Sequence, residues 1–184
     1  MPRIEPVENP DSEQAKLLSK SLPGPDGQPL NVFKTLVRWP ELMRRVNALG
    51  GFFFVAASLD PHERELVILR TAAFARGSYE VGQHRWLGAE VGLSPDEIAA
   101  AIDQRLEHAW SPEHSAMLAL VDELLETDTV GDKTWNAAAL YFDETQRTEL
   151  LALVGYYRML AGILNGLVVE LDGSVEELLA RPTN

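Results

Sequence analysis

A start signal recurs ahead of the apolar runs of this chain and limits the fold more than any other feature: a short polar residue, then proline, then glutamate. Asp60-Pro61-His62-Glu63 supplies a capping aspartate, a proline at the first helical position and a glutamate able to reach back to the cap nitrogen. Ser94-Pro95-Asp96-Glu97 repeats the device, and Ser111-Pro112-Glu113 repeats its first half. These signals predict helices over about 61–75, 95–104 and 112–127. Gly92 closes another, about 79–91, as a left-handed cap. Asp143-Glu144-Thr145-Gln146 opens the longest run, whose broad apolar face carries Leu150, Val154, Tyr157, Leu160 and Leu164. Ser174 to Ala180 reads as a last helix, opened by a serine-to-glutamate box ending at Glu177. Upstream, Pro40 to Ala57 reads as a helix and Val32 to Val37 as a short helical turn. No alternating strand pattern competes, so the expected fold class is all-α, a compact helical bundle.

With 184 residues, 46% of them hydrophobic, the chain can bury one sizeable core. Prolines and glycines interrupt Leu22 to Pro29 throughout. Residues 1–30 are therefore expected to form an arm and connector, and residues 31–184 the helical domain. Leu17 and Leu18 give the arm an apolar side for the core or for a neighbouring subunit. The formal net charge of −12 repels backbone phosphates and anionic headgroups, so neither nucleic acid nor a membrane is an expected partner. Cysteine is absent, which excludes disulfides, thiolate ligands and sulfur nucleophiles. The N-terminal residues show no cationic start followed by an apolar stretch, and the cytoplasm is the expected compartment.

Chemistry is expected where polar groups interrupt an apolar helix face. Glu65 shares its face with Ile68, Leu69 and Ala72. Glu80 and His84, four apart, stack on one face of the next helix. The short Ala75-Arg76-Gly77-Ser78 link makes a helical hairpin that can bring Glu65 opposite Glu80 and His84. A carboxylate beside an imidazole can take and return protons near neutral pH. Two acids there should share a proton or flank a protonated His84. The competing reading is an ordinary helical ion pair, and a further one is a divalent metal held by Glu65, Glu80 and His84, ranked below acid–base work. His62, His108 and His114 lie near helix ends or in polar stretches and read as surface residues. Tyr79, Tyr156 and Tyr157 could each donate a hydrogen bond to a ligand carbonyl or simply pack.

The stretch from Asp60 to Ile98 resembles the core signature of the carboxymuconolactone decarboxylase family, within the alkyl hydroperoxidase D-like superfamily. The matching parts are Arg64 and Glu65, the apolar run Leu66 to Phe74, the break at Gly77, Tyr79 to His84, then Gly92, Ser94 and Asp96-Glu97-Ile98. The likeness extends loosely to Asn31-Val32-Phe33, Trp39-Pro40, Tyr156, Tyr157 and Asn165. Hydroperoxidase members carry two cysteines three apart, the second four before the histidine. Gly77 and Glu80 stand in those places here, so cysteine peroxidase chemistry is impossible. The decarboxylase branch shares a glutamate four residues before the histidine.

That resemblance implies the bundle of the alkyl hydroperoxidase D-like type and a lyase acting on a small oxygenated carbon acid or lactone. Glu65, Glu80 and His84 would be catalytic, with His84 stabilising an enolate or delivering a proton, Glu80 orienting it and Glu65 completing the relay. Tyr79, Arg70 and Tyr156 would bind substrate, and Arg85 is a second candidate for the substrate carboxylate. It implies no cofactor and no metal, and assembly as a homo-oligomer, a trimer or hexamer. The alternative is a non-enzymatic oligomeric scaffold that binds a small apolar ligand.

Overall fold

In the computed structural model, which describes residues 1–180, four of the five start signals form the caps expected of them. Asp60, Ser94 and Asp143 each close a reciprocal capping box, and Ser111 accepts from the His114 amide. The fifth does not form. The last helix starts at Gly173 with Asp172 in the cap position, and Asp172 gives its carboxylate to other elements instead of the helix.

The described residues make ten helices: α1 Ser12–Leu18, α2 Asn31–Leu36, α3 Pro40–Val55, α4 Pro61–Phe74, α5 Ser78–Glu90, α6 Pro95–Ile102, α7 Pro112–Thr127, α8 Asp132–Ala138, α9 Glu144–Leu167 and α10 Gly173–Leu179. Among them there is no strand, only an isolated bridge between Pro23 and Pro29 in the connector. The chain is all-α. The expected boundaries hold within two or three residues except at the far end of the longest run, expected at Leu171-Asp172-Gly173, where α9 already stops at Leu167, and Gly92 takes its left-handed conformation at φ +96°. Residues 181–184, the end of the expected domain, lie outside the described residues.

Two helices were not anticipated. α8 is a seven-residue stretch after an uncapped Gly131 and buries only Ala138, too short to show a period. α1 did carry a signal, since Asp11 and Gln14 close a capping box at its start. It lays the arm on α3 and buries Leu18.

The core is organised around α4, which packs against α5, α6, α7 and α9. Leu66, Val67, Ile68 and Leu69 are four consecutive residues with no exposed surface, so α4 is central and not a one-sided surface helix. α9 is long and apolar enough to cross a membrane by length and composition, but its apolar face packs on α4, α5 and α7. The α4–α5 hairpin turns through Arg76, at φ 54°.

Candidate active site

The α4–α5 hairpin brings Glu65 and His84 together as its register requires. Glu65 Oε2 lies 2.6 Å from His84 Nδ1, both groups buried. Glu65 Oε1 accepts from Arg64 Nε at 3.0 Å, and the Arg64 guanidinium sits 4.3 Å over the Phe54 ring. A carboxylate paired with arginine can only accept, so the proton shared with the imidazole belongs to Nδ1. Nε2 is left without a hydrogen bond to any described residue. Tyr157 packs edge-on against the imidazole, centroids 5.0 Å apart, and fixes its plane.

His84 forms part of the wall of a cavity of about 380 Å³ between α2, α3, α5 and α9. Most of that wall is apolar, from Phe33, Leu36, Phe54, Leu87, Leu160 and Leu164, and its polar groups come mainly from Glu80, Gln83, His84, Tyr156 and Tyr157. A few polar groups converging in an apolar hollow is the usual build of a small-molecule site.

Glu80 reaches the same cavity but does not hold His84. Neither of its carboxylate oxygens has a hydrogen-bond partner, and the residue is 2% exposed. Burial therefore pushes its carboxyl up to about 7, against the smaller opposing pull of its own backbone amide and of His84. The turn makes room for it, since a Cβ on Gly77 would stand 2.5 Å from Glu80 Oε2. The expected arrangement, two acids flanking one histidine, is thus divided. Glu65 orients the imidazole from behind, outside the cavity wall, and Glu80 sits on the wall.

The other expected residues fall out differently. Arg70 is not on the cavity wall. Five residues beyond Glu65, it points about 140° around α4, where its Nε lies 3.6 Å from Asp122 on α7. Arg85 is exposed. Tyr79 lines the cavity, but its hydroxyl donates to Asp172 Oδ2 at 2.7 Å and accepts from the Val32 amide at 3.1 Å. It ties α5 to α2 and to the start of α10 and has little left for a ligand. Gln83 joins the same knot through Asp172, at 2.7 Å. Tyr156 also lines the cavity, with its hydroxyl donating to the Val46 carbonyl at 3.2 Å. Tyr157, left out of the expected substrate contacts, lies directly against His84, and its hydroxyl makes no hydrogen bond to a described residue. The sequence offered it only as one of three tyrosines able to donate to a ligand, since its place in the apolar stripe of α9 fits packing equally well. Arg64 was legible only as the neighbour of Glu65. Glu65 directs one oxygen to Arg64 and the other to His84, so in this arrangement neither is aimed at an ion shared with Glu80.

Residues 40–123, which run from α3 into α7 and hold Glu65, Glu80 and His84, match the family model described as the Carboxymuconolactone decarboxylase family. This region belongs to that family. No curated protein matches the chain in sequence. Solved structures of the alkyl hydroperoxidase D type share its fold. The alkylhydroperoxidase AhpD core, an uncharacterized peroxidase-related protein from Ralstonia eutropha JMP134, superposes with a TM-score of 0.80 at 19% identity, covering 95% of this chain and 92% of the other. The debrominase Bmp8 in its apo form gives 0.77 at 13% identity over 96% of this chain and 95% of its own. A protein of unknown function from Agrobacterium tumefaciens, ATU0492, gives 0.69 at 18% identity over 74% and 94%. With the family match confined to residues 40–123 and no cysteine anywhere in the 184 residues, this sequence offers no route to thiol-based peroxide reduction.

Proposed function

We propose that the chain is a carboxymuconolactone decarboxylase-like enzyme that does acid–base work with His84 and Glu80 on a small oxygenated carbon acid or lactone. The observation that carries this reading is the 2.6 Å contact by which buried Glu65 fixes His84 at the edge of an apolar cavity containing an unpartnered carboxyl. In such a hollow a substrate carboxylate loses its hydration. Cleavage of the bond to its α-carbon releases carbon dioxide and leaves the electron pair on the neighbouring carbonyl as an enolate. His84, protonated at Nε2, donates to the enolate oxygen and then delivers that proton to carbon. Glu80, held largely neutral below about pH 7, does not repel the incoming carboxylate and resupplies the proton from solvent. Glu65 is a positioning residue, and Tyr157 is the hydroxyl best placed to contact the ligand.

Turnover is tested with a panel of lactone carboxylates and 3-oxo acids, by carbon dioxide release and by incorporation of solvent deuterium at the product carbon. His84→Ala should lower the rate by about 10²–10⁴-fold without changing the circular dichroism spectrum. An unaltered rate in that variant ends the proposal.

The apolar wall favours one other reading, a scaffold that stores a small apolar ligand without reacting it. Native mass spectrometry distinguishes the two, since a scaffold retains an unmodified ligand equally in wild type and His84→Ala. A cytoplasmic location and a homo-oligomeric state belong to the same proposal. The second is supported by Trp39 and Leu42, exposed at 45% and 44% beside a shallow groove that also takes in Ile163.

A further inference from the structure

We infer that His62, Glu97 and His114 form a binding site for a divalent transition-metal ion of the zinc class, on the surface where the first turns of α4, α6 and α7 meet. One ligand atom from each residue lies within 4.8 Å of the other two, and all three residues are half-buried. His62 Nε2 stands 3.6 Å from Glu97 Oε1. The two imidazoles are stacked, with centroids 5.5 Å apart and planes 18° from parallel. Ligands about 2.1 Å from a tetrahedral ion stand ~3.4 Å from one another. Closing the difference requires the two stacked rings to turn so that their in-plane lone pairs converge on the ion.

The carboxylate is already oriented for such a role. Glu97 Oε2 accepts from the Ser94 amide at 2.9 Å and the Ser94 hydroxyl at 2.7 Å, which leaves Oε1 free toward the histidines. A second partner that fixes a ligating carboxylate is what metal sites ordinarily need. Local charge points the same way. Asp60 and Glu113 lie close enough to be felt by both Glu63 and His114. Among the described residues none of these acids, nor Glu97, has a lysine or arginine within ion-pair distance; Glu97 has His62 within that distance and feels His108 beyond it. This negative charge outweighs the positive ends of the three helices that converge here. Two neutral imidazoles and one carboxylate suit zinc and its neighbours and leave coordination positions for water. None of the three residues lines the cavity at His84, so the site stands independently of the acid–base proposal.

The expected consequence is a staple joining three helix starts that are far apart in sequence. Untagged, chelator-treated protein should take up one Zn²⁺ per chain near neutral pH, measured by calorimetry and elemental analysis. At a free Zn²⁺ concentration of 100 times Kd, the Tm should rise by about 5–10 °C. Co²⁺ in the same site should show visible d–d absorption. The double substitution His62→Ala with His114→Ala should abolish these signals, and Glu97→Gln should weaken binding at least ~10-fold. Absence of stoichiometric uptake, or uptake that survives the double substitution, overturns the assignment. If the double variant proves misfolded by circular dichroism, Glu97→Gln decides alone: unchanged affinity overturns it.

Discussion

Glu80 is a carboxyl group taken out of water with only its own backbone amide and the nearby His84 to offset part of the loss, and its behaviour with pH follows from that. In the unfolded chain it ionises near 4.5, and in the folded protein near 7. Between those values the native state holds a proton that the unfolded state has released, so stability falls as pH rises through the window, by about 3 kcal/mol in all. Glu80→Gln removes this decline. Its Tm should exceed that of wild type by about 6–12 °C at pH 8 and match it near pH 4, a difference read by thermal melts across that range. The same titration predicts that kcat/KM for a carboxylate substrate falls above about pH 7 as Glu80 acquires charge. That limb should flatten in the variant.

At this scale the sequence revealed the residue types and the facing pair. Glu65 lies in the buried stripe of one helix and His84 in that of the next, so a short link is enough to predict that they meet. Which acid holds the imidazole was not legible. Spacing of four between Glu80 and His84 suggests a contact, but the Glu65–Arg64 pair captures Nδ1 first. Arg70 was misplaced because buried residues surround α4, so no single stripe marks which way each side chain points.

Among the elements, capping chemistry did most of the prediction. Asp60, Ser94 and Asp143 satisfy the orphan amides of their helices locally, whatever the tertiary structure does. Ser174 is not the cap because the helix starts one residue before it, with Asp172 in the cap position and its carbonyl accepting from the Val175 and Glu176 amides, while the Asp172 carboxylate bonds Tyr79, Gln83 and the Asn31 amide across the bundle. The glycine signal at Leu171-Asp172-Gly173 put the end of α9 too far along, because Val168, a residue that does not mark a helix end, closes it in the left-handed conformation, at φ 55° and ψ 49°. A β-branched residue there bears about 1–2 kcal/mol of steric strain. Val168 is 40% exposed, so its side chain contributes little packing in return. Val168→Asn should raise the Tm by about 2–4 °C per kcal/mol relieved. An unchanged or lower Tm in a thermal melt contradicts that account.

For the whole molecule, charge and apolar surface act in opposite senses. A net charge of −12 keeps copies apart at low salt, whereas Trp39, Leu42 and Met159 leave apolar surface exposed on α3 and α9. If these faces meet in a homo-oligomer, sedimentation should give three or six times 20.4 kDa, more readily as salt rises. Leu42→Glu should return the chain toward a single copy. A monomer under all salts would remove the oligomer from the proposal.

Asp172 sits only a few residues from the last described position, and through Tyr79 and Gln83 it grips the helix that bears His84. The link between α9 and α10 is therefore a fastening for the cavity at His84. Shortening the chain to before Asp172 would release α5 on the side facing α2, and the effect of a cut made far away in sequence would be felt first at the imidazole.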